Sequence, residues 1–351
     1  MTKAKPRPRS RAKKTGPAKS PAAASEGAAA PEGAPARASS LQPPVSVSKG
    51  CALGNDYLVA DAADLPAGLT PELVRAVCDR HEGVGADGIL LGDVATQPFG
   101  LRVFNPDGTE AEKSGNGLRI FGAWLHGRGL VGRESFRVRL PKDEVELEIL
   151  GEDDAGELDI TAAMGRPDFR PDAVGFRVEV ALEELAAGGA NARMPGARAF
   201  RLGLGDGLTA IAHPVSLANP HCVVLVDALD RADFLARAPR LCTHEAFERG
   251  TNVQFARVSD DATLEAWIWE RGVGETRASG SSSCAVSAVA CSLGRVKADA
   301  LDVRMPGGTA RVTLAPDGVL HLRGPARIVL RAEIPAAIWD GWASAGAGAG
   351  D

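Results

Sequence analysis

Two stretches of the chain follow one plan, and this restricts the fold more than any other feature. Asn105-Pro106-Asp107-Gly108 closes an apolar run and leads through Glu112-Lys113-Ser114-Gly115-Asn116-Gly117 into a helical pattern. Glu270-Arg271-Gly272-Val273-Gly274-Glu275-Thr276 closes another and leads through Ser279-Gly280-Ser281 into a second helix. The two Ser-Gly pairs stand 165 residues apart (114 to 279), about the separation of two equivalent domains. A pseudo-symmetric pair of lobes is the economical reading.

Local signals set the class. From about Val45 the chain alternates short apolar runs with Gly, Asp and Pro, which predicts strands near 57–61, 88–91, 101–104, 136–140, 145–150, 221–226, 252–258 and 264–269. Two more, 310–314 and 319–322, flank Pro316-Asp317-Gly318 and read as a hairpin. Thr70 and Pro71 supply an N-cap and first turn, after which Leu73, Val74, Val77 and Cys78 share one helical face, to about Arg80. Further helical patterns follow Ser114, span about 229–241, and fill 281–293 with Ala, Ser and Cys. Strands outnumber helices, so the fold class is α+β.

The two ends read differently. Residues 1–40 carry nine Lys or Arg against two acidic residues, a charge of +7 in a chain whose net charge is -5, so the remainder carries -12. With no Val, Ile, Leu, Phe or Trp before Leu41, this Ala/Pro-rich stretch lacks the apolar surface to offset its ordering entropy. It reads as a disordered, solvated basic tail over 1–44 rather than a nucleic-acid arm or transit helix, and 346–351 reads as a second short tail. The six cysteines form no C-x-x-C pair and follow no signal peptide, and no apolar run is long enough to cross a bilayer. Reduced, mostly buried thiols in a soluble cytoplasmic protein are expected.

One motif misleads. Gly83-Val84-Gly85-Ala86-Asp87-Gly88 matches the dinucleotide fingerprint, but that mechanism needs a strand before the glycines and a helix after them. Here the helix comes first, so a tight helix-to-strand turn is expected. The duplicated Ser-Gly starts are more informative, because unpaired N–H groups and the positive dipole end of a helix favour a carboxylate. Ser and Asn are also ordinary N-caps. Duplication, with an acidic residue and glycines before each, favours a ligand held between the lobes.

The residues resemble a known family. Gly54-Asn55-Asp56-Tyr57, the glycine turn at 83–88, Asn105 to Glu112, Gly115-Asn116-Gly117, Asn219-Pro220-His221-Cys222-Val223, Gly250-Thr251-Asn252-Val253 and Glu270 to Thr276 look, in that order, like diaminopimelate epimerase. The resemblance runs from about Ser48 to Pro335. It implies two lobes, each a barrel-like, mostly antiparallel sheet around a central helix, placed at 45–165 completed by 326–345, and at 166–325. It implies an amino-acid ligand between them, no pyridoxal phosphate, no metal and no membrane partner, and it admits a homodimer. Asn55, Asn105, Asn219, Asn252 and Arg271 would hold the polar ends of the substrate. Gly115-Asn116 and Gly280-Ser281 would cradle the reacting carboxylate, and His221 and Glu270 would flank the acid/base pair.

At the acid/base positions the chain departs from the family. Two cysteines serve there in the relatives, and this chain carries Ser114 and Ser279. An unactivated hydroxyl is a far weaker base than a thiol near pKa ~8.5, so a serine needs an adjacent base, and His221, Glu270 and Lys113 are the candidates. The expected activity is epimerisation of LL- to meso-diaminopimelate, a step of lysine and peptidoglycan precursor synthesis, with serines in the acid/base positions. The alternatives are a catalytically degenerate paralogue that binds an amino acid or a protein, and a related isomerase or dehydratase.

Overall fold

The computed structural model describes residues 43–65, 67–186 and 194–345, so the tails expected at either end lie almost wholly outside the described residues. The first half of the fold contains β1 (Val45–Ala52), β2 (Asn55–Asp61), β3 (Ile89–Asp93), β4 (Phe99–Phe104), β5 (Glu110–Ala111), β6 (Phe136–Arg139), β7 (Glu144–Glu152) and β8 (Leu158–Gly165). Helix α1 (Pro71–Cys78) lies between β2 and β3, and α2 (Gly115–Gly127) between β5 and β6. A linking stretch holds α3 (Pro171–Val174), β9 (Glu183–Leu185) and β10 (Ala199–Gly205). The second half contains β11 (Leu208–Ser216), β12 (Pro220–Leu225), β13 (Asn252–Asp260), β14 (Thr263–Glu270), β15 (Gly274–Thr276), β16 (Ala300–Met305), β17 (Gly308–Leu314) and β18 (Leu320–Ile334). Here α4 (Arg231–Cys242) separates β12 from β13, α5 (Gly280–Ser292) separates β15 from β16, and α6 (Ala336–Ala345) closes the described chain.

Strand pairing makes the internal repeat explicit. In the first half β1–β2 is antiparallel, β2–β3 parallel, β3–β4 antiparallel, β4–β6 parallel, and β6–β7 and β7–β8 antiparallel. The run from β11 to β18 repeats that order strand for strand. In both halves the parallel pairs are those whose connection carries a helix, because parallel neighbours require a crossover that a tight turn cannot provide. β18 then pairs with both β8 and β1, closing β1, β2, β3, β4, β6, β7 and β8 into an eight-stranded barrel. Its residues 320–323 pair with β17 and its residues 327–334 with β1, so one strand serves both lobes. No helix among the described residues is long and apolar enough to cross a membrane.

Each lobe has one helix inside and one outside. α1 buries Leu73, Val74, Val77 and Cys78, with Trp339 of α6 in the same cluster, and α4 buries Phe234, Ala238, Leu241 and Cys242. Thr70 caps α1 as expected, accepting from Leu73 N–H at 3.2 Å. The inner helices are enclosed: every residue of α5 is buried, as is α2 from Gly115 to Leu125. The small residues of α5 let it fit inside a sheet, and two of its serines return their hydroxyls to the protein. Ser283 donates to Ser279 O at 2.9 Å, and Ser282 accepts from Gln254 at 3.0 Å.

The inner helices meet at their N-termini. A Cβ added to Gly280 would lie 2.9 Å from the Gly115 Cα and 2.5 Å from a Leu322 methyl, and one added to Gly115 would lie 3.0 Å from the Gly280 Cα. Only glycine permits this backbone approach. Gly280→Ala is expected to destabilise the fold by about 1–3 kcal/mol, the usual cost of overpacking. Urea denaturation reads it, and unchanged stability would show that the helix ends part freely.

Candidate active site

The touching helix ends form the floor of a cleft of about 340 Å³. Ser114 and Ser279 both line it, with Ser281 beside the second. Both serines have extended N-cap backbones (φ -133° and -145°), set by the strand-to-helix turns that the sequence repeats. Their hydroxyls are used differently. Ser114 Oγ caps its helix, accepting from Gly117 N–H at 3.0 Å, and lies 3.4 Å from the Tyr57 phenol oxygen. Ser279 makes no cap bond, and its hydroxyl lies beside the Glu270 carboxylate, close enough to favour the ionised form.

Glu270 ends β14 and lines the cleft. Desolvation by burial pushes its carboxyl up to about 7; the Ser279 hydroxyl opposes that rise and the charge of Asp87 adds to it. A carboxylate poised near neutrality beside a hydroxyl is suited to general acid–base work. Of the three bases considered from sequence, this is the one the fold places on a serine. Lys113 is spent on Asp143 at 2.6 Å and the Met164 carbonyl at 2.8 Å.

His221 corrects an expectation. It is fully buried and does not line the cleft: Nε2 is 2.9 Å from Asn219 Oδ1, and Nδ1 is 3.0 Å from Gln254 Nε2. Burial, with the nearby Arg271 charge, lowers its pKa to about 3, so it is neutral. Since Gln254 donates to Nδ1, the proton sits on Nε2 and points at Asn219, a tautomer assigned from its partners. His221 therefore orients Asn219 instead of flanking the serines. Gln254, which also donates to Ser282, went unnoticed in the sequence because nothing there marks it as paired with residue 221.

The expected asparagines divide. Asn55, Asn105, Asn219 and Asn252 line the cleft with Arg271. Asn55 is held by Asp87 at 2.6 Å, and Asn105 donates to Thr109 at 3.0 Å. Asn252 accepts from Arg271 N–H at 2.9 Å and so fixes the turn that carries the guanidinium. Asn116 lies beneath the cleft instead. Its amide donates to Asn55 at 3.3 Å and to the Ala278 carbonyl at 3.2 Å, and it accepts from the buried Arg119 at 2.6 Å. Gly115 and Gly280, expected with Asn116 to cradle a carboxylate, are likewise buried and do not line the cleft, because their close backbone approach seals them against each other. Tyr57, Asp87, Asp107 and Glu112 also line the cleft and were not foreseen, although Asp87 stands in the glycine turn dismissed as a nucleotide site. That turn does run from α1 into β3, and its use is to present Asp87 to Asn55.

Both signs of charge line the cleft. Arg271 Nη1 donates to the Arg249 carbonyl at 3.0 Å, and Nη2 lies 3.5 Å from Glu112. Buried thiols take no part: Cys222 and Cys284 are fully buried away from the cleft, and burial pushes the Cys284 thiol up to about 12.

The family model for diaminopimelate epimerase matches residues 47–169 and 214–329. The chain belongs to the diaminopimelate epimerase family, and with it to the isomerases. The two matched stretches carry nearly all of the repeated strands and all four of the paired helices. Diaminopimelate epimerase 2 of Nostoc sp. (strain PCC 7120) is 39% identical over 271 residues, covering 76% of this chain and 87% of that protein. Among solved structures, an epimerase so named by prediction from Pseudomonas aeruginosa superposes with a TM-score of 0.58 at 18% identity, over 83% of this chain and 99% of that one. A hydroxyproline epimerase from Agrobacterium vitis with bound trans-4-OH-L-proline gives 0.57 at 13% identity, over 84% and 93%. At those identities the likeness concerns the diaminopimelate epimerase fold alone.

Proposed function

We propose that the protein is a pyridoxal-phosphate-independent epimerase acting at an amino-acid α-carbon, that LL- to meso-diaminopimelate is its reaction, and that Ser114 and Ser279 face opposite sides of that carbon. One observation supports this above the rest: the N-termini of α2 and α5 meet at Gly115 and Gly280, and the serines at both N-cap positions open on one cleft. First-turn amides of α5 carry no side-chain cap, which suits them to the carboxylate of the reacting centre. Asp107 and Glu112 with Arg249 and Arg271 offer both signs of charge to the far ammonium and carboxylate of a zwitterion. The chemistry as assigned uses neither cofactor nor metal: Glu270 drives the Ser279 hydroxyl on one face, and Ser114 completes the other.

A binding protein that has lost its chemistry is the second reading. The cap bond of Ser114 favours it, because that hydroxyl is not directed by a base. Incubating purified protein in deuterated water with diaminopimelate and a panel of amino acids separates the two. Inversion with deuterium at the α-carbon supports the epimerase. A ligand that raises the melting temperature yet exchanges no proton sinks it.

Arg271→Ala is expected to weaken diaminopimelate binding by about 1.5–3 kcal/mol, the range for hydrogen bonds to charged groups. Calorimetry reads this directly, and unchanged affinity would remove Arg271 from the site.

A further inference from the structure

We propose that Tyr57 is the proton donor of the Ser114 face, with the Ser114 hydroxyl relaying its proton to the substrate; this rests on the epimerase reading above. Tyr57 is the single tyrosine among 351 residues. β2 carries it into the cleft, 7% exposed, with its phenol oxygen 3.4 Å from Ser114 Oγ. The two faces are thereby unlike: Ser279 has a carboxylate behind it, and Ser114 has a phenol. A hydroxyl has one proton and two lone pairs. Ser114 spends one lone pair on Gly117 N–H, which leaves the other for the Tyr57 O–H and its own proton for the cleft. Burial and the charges of Glu270 and Asp87 hold the phenol well above its ordinary range, so Tyr57 is protonated at neutral pH, while the Ser114 hydroxyl acts the other way and favours the phenolate that proton transfer would leave.

The step balances. Ser279 Oγ takes the α-proton as its own proton passes to Glu270, and the electron pair stays on the substrate carbon, spread into its carboxylate. On the opposite face Ser114 gives its proton to that carbon while the Tyr57 O–H proton passes to Ser114 Oγ. One C–H bond breaks and one forms, a carboxylate and a phenol become a carboxylic acid and a phenolate, and exchange with water after product release restores both. Without Tyr57 the charge would end on a serine alkoxide, a much stronger base and therefore a poorer resting place.

The test compares wild type with Tyr57→Phe, which keeps the ring and removes only the donor. Both are incubated with diaminopimelate in deuterated water, and α-deuterium is resolved into retained and inverted product. The expected result is that inversion falls at least tenfold, and falls further than exchange with retention, while the melting shift on binding diaminopimelate persists. Inversion by Tyr57→Phe as fast as by wild type overturns the proposal and leaves the epimerase reading standing. A wild type that binds diaminopimelate but exchanges nothing overturns both. Because the chain has one tyrosine, phenolate absorbance on raising the pH reports Tyr57 alone. Ser114→Ala is expected to shift that titration, and an unmoved titration overturns the relay even if Tyr57→Phe fails to fold.

Discussion

The double change Ser114→Cys, Ser279→Cys is expected to raise α-proton exchange on diaminopimelate by about 10²–10⁴-fold, the usual range of one well-poised acid–base group. Each thiol would replace a hydroxyl at a buried helix N-terminus, where the dipole favours the thiolate. At residue 279 the Glu270 carboxylate lies beside the hydroxyl and is placed to accept the proton of a thiol. At residue 114 the exchange also removes the cap on Gly117, at a cost of about 1 kcal/mol in stability. Single replacements should do less, since inversion needs a competent group on each face. The assay needs reductant, because two facing thiols in an empty cleft can form a disulfide. Mass spectrometry of α-deuterium over wild type, singles and double decides the matter. A double variant that binds diaminopimelate but exchanges no faster than wild type would show that the pocket differs in more than its thiols.

Glu270→Gln is expected to do the reverse, lowering exchange by about 10²–10⁴-fold while making the protein more stable at alkaline pH. The folded carboxyl titrates near 7 against an ordinary 4.5. Below 4.5 it is neutral in both states, and no difference between variant and wild type is expected. Between 4.5 and 7 the unfolded chain ionises while the folded site resists, so wild-type stability falls as pH rises and bears the full penalty above 7. That penalty is at most about 3 kcal/mol, and water in the cleft reduces it. The melting temperature of Glu270→Gln should therefore part from that of wild type on the alkaline side only. Wild-type activity should rise through about pH 7 as the base is uncovered, with Asp87, Tyr57 and Ser279 the groups that face it. Exchange that survives in Glu270→Gln, or a flat pH profile from 5 to 9, would move the base elsewhere.

How much of this was legible follows from the range of the forces involved. Caps and turns act over three or four residues, so Thr70, Ser114 and Pro316-Asp317-Gly318 announced α1, α2 and the β17–β18 hairpin correctly. The last strand was expected over 319–322. It runs to Ile334, since Pro325 falls where one edge of the strand passes from β17 to β1 and no ladder on that edge needs its N–H. β1, β5, β8, β9, β10, β11, β15, β16, α3 and α6 were not anticipated; β1 and α6 depend on partners distant in sequence, β1 on β18 and Trp339 on the α1 cluster.

By itself the sequence determined the α+β class, the two-fold repeat, the helix starts at Ser114 and Ser279 and the family, because each is written in local residue types or in their ordered recurrence. Only the tertiary structure decided which base serves which serine. Lys113, His221 and Glu270 were equal candidates on paper, and the choice among them depends on which side chains the barrel encloses and where their protons can go. Lys113 is drawn to Asp143, His221 is sealed behind Asn219, and Glu270 is left against Ser279, while Tyr57 arrives at Ser114 from a strand 57 residues away. Contacts of that separation carry no mark in the chain, because burial and dielectric belong to the assembled fold rather than to any one segment of it.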